Sequence, residues 1–290
     1  MVRYPVDPQQ LIDLITVEKP NWIGRARVRT QAYAQARDYT GGSEFWGEIK
    51  DVYIRLQHEK CAYCETKLQG ASYASKVHEV EHFRPKQSVK TWPGTSLTYL
   101  ANFQPPCAMG TGSTQGYYQL AYHPFNYAIA CTRCNSTLKS NYFPVRGPRD
   151  LAADDPSQMA GERALLVYPV SDIDEDPQEL ITFDGVLAIP KHKTGPAFER
   201  AVTTISFFQL NHEDLTSRRA EMLGQLWLNL EFLASSPALG LQRRLNALID
   251  VTCSPQGQFS SCMKAFRALY ASDLSKAKLK GEKALEGQTI

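Results

Sequence analysis

The chain has 290 residues, 43% hydrophobic and 21% charged, the makeup of a globular protein with room for one large domain or two small ones. No apolar run approaches the roughly 18 residues a spanning helix needs, and "MVRYPVDPQQ" lacks the basic and apolar stretches of an export signal, so a cytoplasmic protein with no membrane partner is expected. Net charge is only +2, which argues against bulk coating of nucleic acid, yet residues 61 to 150 hold nine Lys or Arg against four acids while residues 151 to 290 hold 14 against 18.

In chain order, "DPQQLIDLITVEKP", "PNWIGRARVRTQAYAQARDYTGG" and "SEFWGEIKDVYIRLQHEK" place apolar residues three and four apart between Pro, Gly and Ser, and predict three helices. From Cys61 to about Pro148 the sequence turns aromatic and rich in breakers, which predicts a loop-rich region. "ALLVYPV" and "LITFDGVLAIP" predict short strands, the second folding back at Asp184-Gly185. Four helical patterns follow between residues 195 and 274, and the polar end "SKAKLKGEKALEGQTI" predicts a frayed tail.

Two Cys-x-x-Cys pairs stand out, "CAYCE" at Cys61 and Cys64 and "CTRCN" at Cys131 and Cys134. Four thiolates in two such pairs are the tetrahedral set of a structural zinc, although the 66 residues between the pairs exceed the usual ribbon spacing and leave independent thiols open. Cys107, Cys253 and Cys262 have no partner at ligand spacing and read as ordinary thiols.

Between the pairs, "VHEVEHFRPK" allows Val77, Val80 and Phe83 to face a core while Glu79, Glu81 and His82 gather carboxylates beside an imidazole. Histidine takes a proton near neutral pH, and a neighbouring carboxylate can hold a hard divalent cation. Glu79 is a reserve ligand, because it shares a side with Glu81 if the stretch is extended. In "AYHPFNYAIACTRCNSTLK" a strand-like run carries Asn126 towards a helix on which Asn135 and Lys139 share a face. The bland alternatives are a turn residue for Asn126, a solvated charge for Lys139, and ordinary roles for His78, His123 and His212.

The order "CAYCE", "VEHFRPK", "AYHPFNYAIACTRCNSTLKSNYFP" resembles the HNH endonucleases with a ββα-metal core, in particular those of Septu-type and retron-associated anti-phage systems. A weaker likeness runs on through "LLVYPVSDIDEDP" and "TISFFQLNHEDLTSRR". The fold class so implied is α+β, a zinc-pinned HNH core with helical N-terminal and C-terminal extensions. The segments would be 1–60 helical, 61–150 nuclease core with loop-rich insertion, 151–275 hairpin plus helices, and 276–290 tail.

The resemblance also implies roles. His82 would be the general base, Glu81 and Asn135 ligands of a catalytic Mg²⁺ or Mn²⁺, and Asn126 the residue steadying the base's loop. Asn135 stands where HNH proteins often carry His. Arg84, Lys86 and Lys139 would contact phosphates without reading bases. The partners implied are nucleic acid, DNA more than RNA, and an ABC-type ATPase subunit; the helical ends, residues 1 to 60 and 195 to 274, are the surface expected to dock it. The chain has no G-x-x-x-x-G-K-[ST] loop, so nucleotide control would come from another chain. RNA cleavage, or an inert zinc-held adapter, are the alternatives.

Overall fold

The computed structural model describes residues 1–68, 79–236 and 238–287; Val77 and His78 lie outside them. The first two expected helices form. Asp7 caps α1 (Pro8–Glu18) by accepting from the Gln9 and Gln10 amides, and Leu11 and Ile15, one turn apart, are buried. Helix α2 (Trp22–Ala36) ends where Arg37 turns left-handed, at φ 53°. The third pattern splits into a 3₁₀ turn, Trp46–Ile49, running into α3 (Lys50–Leu56). Trp22 is buried against Phe45, Tyr122 and Tyr127, so the N-terminal helices share one apolar cluster with the centre of the molecule.

That centre is a two-stranded antiparallel sheet, β1 (Glu79–His82) and β2 (Tyr127–Ala130), with Glu79 opposite Ala130 and His82 opposite Tyr127. All four β2 residues are buried. The buried Gln57 side chain satisfies part of its backbone, accepting from the Ile129 amide and donating to the Ile129 carbonyl. The short helix Arg133–Lys139 follows and is π-wound, with the Ser140 amide bonded to the Asn135 carbonyl at 2.8 Å.

A second hairpin pairs β3 (Ile181–Asp184) with β4 (Leu187–Pro190). Its two-residue turn is Gly185 and Val186, one residue later than the expected Asp184-Gly185, and Gly185 takes the positive φ of 61° that the turn requires. "ALLVYPV" is not a strand. Ala164 bridges to Val145 and Val170 to Tyr4, so its two ends pair with different segments and no ladder forms, although Leu165, Leu166, Val167 and Tyr168 are buried.

Among the described residues, five helices close the chain: Gly195–Phe207, Glu213–Ser235, Leu239–Cys253, Ser260–Ser272 and Leu274–Leu285. The last corrects the expected frayed tail. Asp273 caps it through the Lys276 amide, and Ala277, Gly281 and Ala284 form a small-residue face among its lysines. Gly281 lies so close to the Trp227 ring that a Cβ has no room there. Among the described residues no helix is long and apolar enough to cross a membrane.

Candidate metal centre and active site

The four cysteines meet at the base of the sheet. Cys61 and Cys64 lie in a turn closed by the Cys61 amide on the Thr66 carbonyl (3.0 Å), and the Ala62 amide docks that turn on the Ile129 carbonyl of β2 (2.9 Å). Cys131 follows β2 directly, and Cys134 opens the short helix. All four sulphurs lie within 4.8 Å of one another, and Cys64 and Cys131 are 3.8 Å apart. Zn–S bonds of about 2.3 Å place tetrahedral sulphurs about 3.8 Å apart, so the set fits one zinc ion. Cys61, Cys64 and Cys134 are buried, as a closed structural site requires.

A buried carboxylate ties this turn to the C-terminal helices. Glu65 accepts from Ser260 (2.9 Å) and Ser261, and pairs with the amino terminus (2.8 Å) and Lys60 (3.6 Å). Burial opposes its charge, but these cations and hydroxyls override it and bring its pKa down to about 2.

A cavity of about 450 Å³ is lined by Glu79, Glu81 and His82 of β1, Asn135 of the short helix, and Trp46 and Lys86 from flanking segments. Glu81 is 3% exposed. Lys139 Nζ lies 3.2 Å from Glu81 Oε1, an ion pair without good alignment, since that oxygen has no hydrogen-bond partner among the described residues. Burial raises the Glu81 pKa to about 7 against the lowering effect of Lys139. Asn135 donates to Glu79 Oε2 at 3.2 Å. Glu79, Glu81 and Asn135, which line this cavity, offer side-chain oxygens, the ligand type that a hard cation such as Mg²⁺ or Mn²⁺ takes. Among the described residues, however, a group of three or more His, Cys, Asp or Glu at ligand spacing occurs only at the cysteines.

His82 is held from three sides. Its Nε2 lies 3.0 Å from the Ala121 carbonyl, which can only accept, so Nε2 carries the proton and Nδ1 keeps the lone pair. Trp46 and Tyr127 stand edge-on to the ring at 4.7 and 5.1 Å. Burial, and then Lys86, hold its pKa well below the usual range, so the imidazole is neutral. Asn126, fully buried, accepts from the Arg84 amide (2.7 Å) and donates to the Arg84 and Leu120 carbonyls (both 3.0 Å). It thereby fixes the chain that leaves His82.

The three expected phosphate contacts separate. Lys86 lines the cavity, its ammonium 4.4 Å over the Trp46 ring. Gly116 packs against the backbone of Pro85 to Gln87 with no space for a side chain, which fixes that segment. Arg84 turns away to pair with Glu162 at 3.0 Å. Lys139 is fully buried against Glu81 and does not share the cavity face of Asn135, because the π-wound turn and the pull of a buried carboxylate carry it inwards. His123 accepts from the Phe125 amide and His212 from the Asp214 amide, so both are helix caps. Trp46 and the Ala121 carbonyl escaped sequence reasoning; "SEFWGEIK" signals only a helix, and a backbone acceptor has no residue signature.

The chain is thus an α+β protein in which a cysteine cluster able to hold zinc underlies a carboxylate–imidazole cavity. It is 32% identical over 174 residues to Septu protein PtuB of Bacillus mycoides (strain KBAB4), covering 60% of this chain and 50% of that protein. It is 29% identical over 135 residues to Septu protein PtuB of Bacillus thuringiensis, covering 44% and 48% respectively. The chain therefore spans about half the length of these curated relatives. No protein-family model and no solved structure matches it.

Proposed function

We propose that this chain is a divalent-cation-dependent endonuclease of the HNH type that hydrolyses DNA phosphodiester bonds in anti-phage defence, working with an ATPase partner. The observation that carries the reading is His82. A neutral imidazole whose Nε2 proton is committed to the Ala121 carbonyl keeps Nδ1 as a base, beside a carboxylate in an open cavity. Similarity to proteins named for Septu supports the defence setting.

In this reading Nδ1 takes a proton from water as its oxygen attacks phosphorus, and the sugar oxygen on the opposite side departs with the bond's electrons. A cation held by Glu81 and Asn135 supplies positive charge to the phosphate and the leaving oxygen. Lys86 holds the strand by a phosphate, and Lys139 limits the cost of keeping the Glu81 charge buried. Asn126 keeps the base's loop in place, and the cysteines with zinc hold strand and helix together.

The test is nicking of supercoiled plasmid in Mg²⁺, Mn²⁺ or EDTA, with His82→Ala beside the natural chain. Cleavage that needs the cation and falls by roughly 100-fold or more in the variant is expected. Equal cutting by both rejects His82 as the base, and RNA cut while DNA stays intact moves the substrate to RNA.

A further inference from the structure

A second cavity, of about 520 Å³, shares no lining residue with the first. Phe83 and Arg84, the residues that follow His82, form part of its wall. Its floor is apolar and partly aromatic: Phe83 and Tyr168 pack with ring centroids 5.0 Å apart, beside Met159 and Leu165, all buried. Arg84, Arg146, Arg163 and Arg200 also line it.

The carboxylates that line this cavity, Asp174, Glu175 and Glu199, and the buried Glu162 are already committed. Glu162 bonds Arg84, Glu199 bonds Arg146, and Asp174 and Glu175 bond Arg200. Donors are left over. Arg84 is 7% exposed and uses only Nε for Glu162; its two terminal nitrogens have no hydrogen-bond partner among the described residues. Arg163 has no ion-pair partner among them either, and it is an exposed residue of the lining. Spare guanidinium forks call for an anion with several acceptor oxygens, and phosphate matches their geometry best. An apolar aromatic floor calls for a flat apolar body, and the volume is that of a small-molecule site.

We propose that this cavity binds a small phosphorylated molecule with a flat apolar body, of the nucleoside phosphate class. The phosphate sits between Arg84 and Arg163 and the ring lies on Phe83 and Tyr168. No glycine-rich loop is needed, because side-chain guanidinium groups take the place of backbone amides. The site is independent of the nuclease reading and stands whether or not His82 acts as a base.

Calorimetric titration of the full chain with AMP, ATP and inorganic phosphate tests it. Both nucleotides should bind, each roughly tenfold or more tightly than phosphate alone, because only they cover the apolar floor. Arg163→Glu, on an exposed side chain, should weaken them roughly tenfold. Ala160→Trp, which fills the mouth from an exposed position, should abolish binding, while Glu81→Gln in the first cavity should leave it unchanged. Circular dichroism checks that each variant is folded; if Ala160→Trp is not, Arg163→Glu decides alone. Absence of heat with both nucleotides overturns the proposal. So does phosphate binding as tightly as AMP, binding that survives Arg163→Glu, or binding lost in Glu81→Gln.

Discussion

Replacing Asn126 by Ala removes three hydrogen bonds from a fully buried site. The Leu120 carbonyl keeps the His123 amide as a partner, and the Phe83 amide still reaches the residue-126 carbonyl, so neither is orphaned. The Arg84 amide and carbonyl are bonded by no other group among the described residues. Two buried backbone groups left unpaired, at roughly 1 to 3 kcal/mol each, make the expected loss about 3 to 4 kcal/mol. At a few degrees per kcal/mol for a chain of this size, Tm should fall by roughly 10 °C in a calorimetric scan. Asn126→Asp should be no milder, because it keeps the acceptor for the Arg84 amide but turns a carboxylate towards two carbonyl oxygens. Asn135→Ala, which loses one bond at a half-buried position, should stay within about 0.5 kcal/mol of the natural chain. A Tm for Asn126→Ala within 2 °C of the natural chain would refute the reasoning, since it would mean that the loop after His82 does not depend on this side chain.

The purified chain should carry one tightly held zinc by elemental analysis, and Cys134→Ala should lose both the metal and the cooperative melt, because strand and helix join at that cluster. Glu65 gives a pH signature. Its folded pKa, brought down to about 2 from 4.5, contributes stability present above pH 4.5 and lost as pH falls towards 2. That shift is worth about 3 kcal/mol, so Glu65→Gln should destabilise at pH 7 by that order and by progressively less between pH 4.5 and 2; a penalty independent of pH in denaturant titrations contradicts the ion-paired state.

Features that depend on near neighbours in the chain were legible from the residues alone. The Cys-x-x-Cys spacing lets each pair close on one centre, Cys61 and Cys64 from a turn and Cys131 and Cys134 from the end of β2 into the short helix, and the one-turn spacing of Leu11 and Ile15 defines the buried side of α1. Val80 and Phe83 are core residues, as their pattern said, and Glu79 and Glu81, which period-two alternation puts on one side of β1, both line the cavity, although their neighbour His82 reaches it as well. Helix Leu274–Leu285 was hidden because its apolar side consists of small residues, whose value appears only against the Trp227 ring.

Tertiary structure decided the rest. Three cations close to the candidate base in sequence or motif met three different environments: Lys86 the cavity, Arg84 the Glu162 carboxylate, and Lys139 the buried Glu81. The orientation of His82 comes from the Ala121 carbonyl and the edges of Trp46 and Tyr127, groups distant in sequence. A charge is placed by the nearest opposite charge in a low-dielectric interior, and a buried ring by whatever packs around it. Both are set by the folded whole, which local spacing does not encode.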